Sequence, residues 1–160
     1  MEASCAVSKD KEVIEEFKRI NLDILVTAET KKKGNATHFV DVIFYFWSGK
    51  KKEERAAAGV GILVKKKWVK TIKTWEPINE RIVKLIMEIY CKLIVILGVY
   101  GPMDNSLVAE KDQFMDTLQE EIGKVRPTQE IIIAGDLNGR AGKRQNSTIG
   151  RFGEDLTNDN

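Results

Sequence analysis

Two carboxylates, an amide and a phenol stand at the ends of strand-like runs in this chain of 160 residues. Glu29 closes DILVTAET (23–30), Tyr100 closes LIVILGVY (93–100), and Asp136 and Asn138 leave EIIIAGDLNGR (130–140) with Leu137 between them. Side chains alternate along a strand, so Asp136 and Asn138 share a face and Leu137 is expected to turn back into the core. Ligand sites of α/β sheets lie at strand carboxyl ends, where loops converge on a crevice. Carboxylates beside neutral hydrogen-bonding groups suit Mg²⁺ and a phosphodiester: hard oxygens hold a hard cation, and donors hold phosphoryl oxygens. A strand-end acid is also a common cap or turn former, and for Asp136 alone the two roles weigh about equally.

Such groups meet only if a sheet gathers them. Val13, Ile14, Phe17 and Ile20 follow helical spacing and predict an amphipathic helix over 10–20, ended by Asn21. Residues 23–30 read as a short buried strand, 39–46 (FVDVIFYF) as one β run, 49–55 as a charged turn and 60–64 (VGILV) as a strand. Residues 82–90 alternate, with Val83, Leu85, Met87 and Ile89 on one face and Lys84 and Glu88 on the other. Residues 93–100 read as a strand buried on both faces. A turn at 101–105 precedes a helix with the stripe Leu107, Phe114, Leu118 and Ile122; Pro127 stops it, and 130–135 is a buried strand. The strand–helix–strand crossover over 93–135 predicts a parallel pair, while the hairpin-like order of 39–64 and 82–100 predicts antiparallel ones. The expected class is α/β (α+β), a mixed β-sheet with flanking helices in a single domain over 1–160.

Hydrophobic residues at 42% and charged residues at 31% describe a globular chain with a net charge of +2. That small excess conceals a basic half, 1–75, with 16 Lys and Arg against 10 Asp and Glu, and an acidic half, 76–160, with 10 against 14. Lysine triplets at 31–33, 50–52 and 65–67 supply most of the basic excess. Composition alone favours solvated loops and sheet edges, where Lys blocks unwanted pairing. The sharper account is a surface for a polyanion, and its candidate nucleic-acid contacts are Lys31, Lys32, Lys33, Lys50, Lys51, Lys52 and Arg140. Two cysteines, Cys5 and Cys91, build no disulfide framework. With no secretory signal pattern and no apolar run long enough to span a bilayer, the expected location is intracellular, nucleus or cytoplasm, with no membrane partner.

IIIAGDLNGRAG (131–142) resembles the GDFN-type motif of the endonuclease/exonuclease/phosphatase superfamily. In the order that family predicts, DILVTAET resembles its strand with an acidic metal ligand, NERIVKLIM (79–87) its Arg-bearing strand and VILGVYGP (95–102) its VYAP strand. The tail, IGRFGEDLTNDN (149–160), resembles the segment after GDFN in non-LTR retrotransposon endonucleases and craniofacial-development-protein-like sequences. The resemblance spans 11–160 and implies a partial four-layer α/β/β/α fold acting on DNA with Mg²⁺, or Mn²⁺ in its place. It gives Glu29 the role of metal ligand and Tyr100 that of donating its hydroxyl to the scissile phosphate. Asp136 orients or deprotonates the attacking water, Asn138 binds a phosphoryl oxygen, and Arg81 supports the site electrostatically. Two family segments have no counterpart here: an N-terminal strand bearing Asn, and a C-terminal Ser-Asp-His-like motif, the one histidine being His38. The domain is therefore expected to be incomplete at both ends. Much of the second sheet would be missing, leaving apolar sheet surface for self-association or a protein partner. The expected function is Mg²⁺-dependent hydrolysis of DNA by an endonuclease domain of retroelement origin. The alternatives are a non-catalytic remnant that binds nucleic acid or protein, and a phosphatase of phosphoinositides or small phosphate esters.

Overall fold

The computed structural model describes residues 2–55 and 57–139, with residues 2–9 described by their backbone alone. Arg140 and the 149–160 segment lie outside the described residues.

The opening helix, α1 (Glu2–Arg19), buries Ile14 and Phe17, while Val13 and Ile20 of the predicted stripe are exposed. The run at 39–46 is not one strand. Asp41 takes a left-handed φ of 55° and the chain reverses there, giving β2 (Asn35–Val40) and β3 (Ile43–Ser48) in register as a hairpin. With β1 (Ile24–Thr27) and β4 (Val60–Lys65) they form an antiparallel sheet ordered β1-β4-β3-β2. A 3₁₀ segment, Lys66–Thr71, leads into β5 (Ile72–Asn79), a strand that Lys73 and Pro77 hide from sequence periodicity. β6 (Ile82–Ile89) and β7 (Lys92–Tyr100) extend it, and α2 (Val108–Gly123) carries the chain over to β8 (Glu130–Asp136). The second sheet is ordered β5-β6-β7-β8; β7 and β8 run parallel, as the crossover predicts, and its other pairs are antiparallel.

Three apolar clusters mark three layer boundaries. Ile14 and Phe17 of α1 pack on Ile43, Tyr45 and Leu63, on the outer face of the first sheet. Phe46, Val60, Ile62 and Val64 meet Val83, Leu85, Met87, Ile96 and Tyr100 between the sheets. Phe114 and Leu118 of α2 cover Ile82, Val95, Leu97 and Val99 on the outer face of the second sheet. Burying one such large side chain contributes roughly 1.5–3 kcal/mol. The result is the α/β/β/α order, and both sheets have four strands among the described residues. Among the described residues the second sheet closes its register locally, through the β5–β6–β7 hairpins and the α2 crossover.

Three expectations about burial also change. Lys84, placed on a polar face, is buried under α2, where its ammonium lies 2.8 Å from Glu121 and 2.7 Å from Glu76. Leu107 is exposed at the start of α2. β8 is not buried: Ile131, Ile132, Ile133 and Leu137 are all exposed. Among the described residues it is an edge strand, and α2 lies over β6 and β7. No described helix is long and apolar enough to cross a membrane.

Candidate active site

The site is built where β7 and β8 end side by side. Their parallel register sets Tyr100 opposite Asp136, so both side chains leave the same face at the same level. Gly135 makes that register feasible. Its φ is +138°, and a Cβ there would sit 2.0 Å from the Val99 carbonyl oxygen. Past the strands the two chains stay joined, Gly101 N–H donating to the Asp136 carbonyl at 2.7 Å. A Cβ on Gly101 would fall 2.3 Å from the Leu137 carbonyl oxygen, so the close passage of 101 by 137 excludes other residues.

Asp136 also shapes the loop it opens. Its Oδ1 accepts the backbone N–H of Asn138 at 2.8 Å, and Asn138 takes a left-handed φ of 52°. Asn tolerates that conformation better than most residues. The turn aims the Asn138 amide back at β7, where Nδ2 donates to the Gly101 carbonyl at 2.8 Å. The same carbonyl accepts Arg81 Nη1 at 3.2 Å, and Arg81 also reaches the Tyr100 carbonyl at 3.4 Å. The Arg81 guanidinium lies 5.6 Å from the centre of the Tyr100 ring. Tyr100 is buried in the inter-sheet core, and its hydroxyl has no hydrogen-bond partner among the described residues. Arg81, Tyr100, Asp136 and Asn138 are thus one connected group, assembled from β6, β7, β8 and the loop that follows.

Glu29 follows β1 of the other sheet, and its side chain borders the α1 side of that sheet rather than joining the Arg81–Tyr100–Asp136–Asn138 group. Val26 and Ala28 pack on the cluster that contains Tyr100. Beyond them, Thr30 N–H donates to the Gly59 carbonyl, and Gly59 N–H to that of Glu80, next to Arg81. Glu29 has a left-handed φ of 51°; its carboxylate lies 3.2 Å from Lys31 Nζ and borders a cavity of about 210 Å³ under α1. Its side chain is half exposed and offers a hard oxygen donor to solvent. Mg²⁺ is commonly held by one or two carboxylates plus substrate phosphates and water, so a Glu29 centre completed by phosphate fits that chemistry. Among the described residues no group of three His, Cys, Asp or Glu side chains gathers to hold a metal by itself.

Two lysine triplets border this end. Lys33 and Lys50 form a bridge, Gly34 N–H donates to the Lys50 carbonyl at 2.6 Å, and Lys33 Nζ to that of Lys52 at 3.2 Å. The lysines differ in freedom. Lys32 is turned inward, 2.5 Å from Asp10 and over the Tyr45 and Trp47 rings at 5.0 and 4.8 Å. Burial pushes the neighbouring Tyr45 phenol up to about 12. Lys50 lies 3.3 Å from both Glu54 and Glu80. Burial alone would raise the Glu80 carboxyl, but hydrogen bonds from its own backbone N–H and from Lys50 outweigh that and hold it below the usual range. Lys51 and Lys52 are exposed and make no ion pair among the described residues. The third triplet is elsewhere, at the end of β4, where Lys65 and Lys67 flank Asp23. His38 is on β2, opposite Tyr45, at the outer edge of the first sheet.

Two supporting residues escaped sequence reasoning. Asn79 Oδ1 caps the β5–β6 turn by accepting the N–H groups of Arg81 and Ile82 at 2.8 and 2.9 Å. Ser48 is buried, and its hydroxyl donates to the Asn79 carbonyl at 2.6 Å, tying the first sheet to that turn. Asn before an Arg-led strand is a turn signal that would have pointed to the first; a lone Ser after an aromatic run carries none.

The chain is 26% identical over 148 residues to Craniofacial development protein 2 of Bos taurus and, to the same extent, to the protein of that name from Tragulus javanicus. Each match covers 92% of this chain and 25% of the relative, so the chain spans about a quarter of the length of those curated relatives. Among solved structures, AP endonuclease LMAP from Leishmania major superposes with a TM-score of 0.64 at 13% identity, over 89% of this chain and 54% of that one. The profile of the Endonuclease/Exonuclease/phosphatase family matches residues 3–157, nearly the whole sequence, and the chain belongs to that family.

Proposed function

We propose that the chain hydrolyses phosphodiester bonds in DNA as a divalent-metal-dependent endonuclease. The observation that carries this reading is the joining of Tyr100, Asp136, Asn138 and Arg81 at one strand end, bordered by loops bearing Lys33, Lys51 and Lys52. A fold neighbour named as an AP endonuclease supports a nucleic-acid substrate. Membership of the family supports a divalent metal, with Mg²⁺ preferred and Mn²⁺ as the substitute.

DNA lies across the rim with its backbone on the exposed lysines, where phosphate contacts supply most of the affinity. Glu29 is the residue that would hold the metal; when bound, the ion supplies positive charge to the phosphate oxygens. Tyr100 donates its hydroxyl to a phosphoryl oxygen of the scissile group. Asp136 accepts a proton from the attacking water, whose oxygen bonds to phosphorus as the bond to the leaving oxygen breaks. Asn138, its amide oriented by the Gly101 carbonyl, steadies a second phosphoryl oxygen. Arg81 holds the Tyr100 and Gly101 carbonyls in place and adds positive potential at the same spot.

A second reading rests on His38: the one histidine among these 160 residues is on the far edge of the other sheet, so this stretch brings no imidazole of its own to Asp136. The protein would then bind DNA without cutting it. Plasmid nicking with Mg²⁺ and with EDTA separates the two. Metal-dependent nicking that Asp136→Ala abolishes supports the endonuclease. DNA binding without nicking supports the second reading, and equal nicking by both proteins refutes the role of Asp136.

A further inference from the structure

A cavity of about 260 Å³ opens between the β5–β6 turn and the first turns of α2. Lys50, Glu80 and Arg81 line one side, and Glu110, Gln113 and Phe114 of α2 line the other. It adjoins the candidate active site through Arg81, whose Nη1 donates to the Gly101 carbonyl that also accepts the Asn138 amide. None of its walls is a chain end. Lys50 lies between β3 and β4, Glu80 and Arg81 join β5 to β6, and α2 carries the chain from β7 to β8.

Pairing sorts the polar groups of these walls. Lys50 lies 3.3 Å from Glu80, so that pair is neutral. Glu110 and Gln113 are three residues apart on one helix face. Their side chains make no hydrogen bond or ion pair among the described residues. Arg81 commits Nη1 to two carbonyl oxygens, while its Nε and Nη2 make no hydrogen bond among the described residues. The cavity therefore offers a carboxylate that accepts, a guanidinium that donates and an amide that does both. With Glu110 balancing Arg81, neither a phosphate nor a metal ion is favoured, and a neutral polar ligand is. Phe114, 4% exposed, adds an apolar patch for a flat ring. Pockets for drug-sized ligands run about 300–1,000 Å³, so this volume suits a single base rather than a whole nucleotide.

We infer that this cavity binds the base of an unpaired guanine. Guanine presents N1–H and N2–H₂ side by side, two donors that one carboxylate accepts together. Its O6 and N7 accept from a guanidinium, the commonest specific contact to that base. Adenine would turn its N1 lone pair toward Glu110, and thymine or uracil would flank its one N–H with two carbonyl oxygens. Cytosine offers Glu110 its amino group alone. A base pair occupies N1 and N2, so the guanine must be unpaired, as bases splayed from single strands are. Under the nuclease reading, on which this rests, the base belongs to a strand whose phosphate lies at Asp136 and whose neighbouring base passes Arg81. A free guanine nucleotide presents the same chemistry.

The test is binding in EDTA, where metal-dependent cleavage stops. Fluorescence anisotropy of oligothymidylates carrying one central guanine, hypoxanthine or adenine is expected to rank them in that order. Guanine should bind about 10-fold tighter than adenine, and hypoxanthine, which lacks the N2 amino group, should fall between. Glu110→Ala is expected to abolish the ranking, whereas Asp112→Ala, an equal change of charge at an exposed position of the same helix, keeps it. Guanosine monophosphate is expected to compete weakly. Competition equal to that of the guanine strand would keep the guanine site and make the free nucleotide its source. Equal affinity for guanine and adenine strands overturns the proposal, as does a ranking that survives Glu110→Ala. If no strand binds at all, the nuclease reading fails by itself, and guanosine against adenosine monophosphate decides the cavity. A Glu110-dependent preference for guanosine then supports the site, and equal binding overturns it.

Discussion

Gly135→Ala is the sharpest probe of how the candidate site is held. The native φ of +138° is one that L-residues rarely adopt, and the added methyl would sit 2.0 Å from the Val99 carbonyl oxygen and 2.9 Å from its carbon. Both neighbours are backbone, so no side chain can swing away. Backbone strain of this kind costs about 1–3 kcal/mol. Relieving the overlap means prising β8 from β7, which sacrifices the Gly101 N–H to Asp136 hydrogen bond at 2.7 Å and about 1 kcal/mol with it. The expected loss is about 3–4 kcal/mol, a large part of the 5–15 kcal/mol of a typical domain. Urea unfolding of wild type and variant measures it. Gly123→Ala is the control: nothing lies within 4 Å of its would-be Cβ, and it should change stability by less than about 1 kcal/mol. If cleavage occurs, a shift of Asp136 by about 1 Å should slow it on the order of 100-fold under conditions where the variant remains folded. A Gly135→Ala protein within about 0.5 kcal/mol of wild type would refute the close-approach argument outright.

The buried ion group under α2 makes a second test: Glu121→Ala, which strands the buried Lys84 ammonium, should cost about 3 kcal/mol in urea unfolding, and Lys84→Met combined with Glu121→Leu should recover most of it. Burial alone would raise the Glu121 carboxyl, but hydrogen bonds from Lys124 and Lys84 outweigh it and hold the group below its usual 4.5. A carboxylate depressed on folding contributes stability that is present above its unfolded pKa and lost as pH falls through the folded value. The urea midpoint should therefore drop between about pH 5 and pH 3, with a shallower drop in Glu121→Gln. Lys32→Met should lower stability by about 1–2 kcal/mol, because the ammonium leaves Asp10 and two aromatic faces, while leaving DNA affinity nearly unchanged. Lys51→Ala/Lys52→Ala should do the reverse, weakening DNA binding and cutting the salt slope by about 2 in a fluorescence titration.

Much of the architecture is legible in residue order. The periodicity at Val83, Leu85 and Met87, the apolar run before Tyr100, and the crossover from 93 to 135 each recover a strand or a pairing that the fold contains. Asp136 and Asn138 stand out because packing alone does not ask for two polar groups at that spacing. Three elements were misread, each for a local reason. Pro77 and Lys73 mask β5; Asp41, with its left-handed backbone, splits one apolar run into two strands; and Val13 and Ile20 keep helical spacing although no layer covers them.

Local sequence determined which residues are strand, helix or turn, because backbone preference and side-chain period act over a few neighbours. It also determined that Asp136 and Asn138 emerge together from one strand. Tertiary structure alone decided which apolar faces are covered and which cations are free. Ile132 and Ile96 look alike in sequence, yet one is exposed on an edge and the other lies between two sheets. Lys32 and Lys51 sit in equivalent triplets, yet one is spent on Asp10, Tyr45 and Trp47 while the other faces solvent. Burial and charge pairing depend on neighbours distant in the chain, and no period along the sequence encodes who those neighbours are.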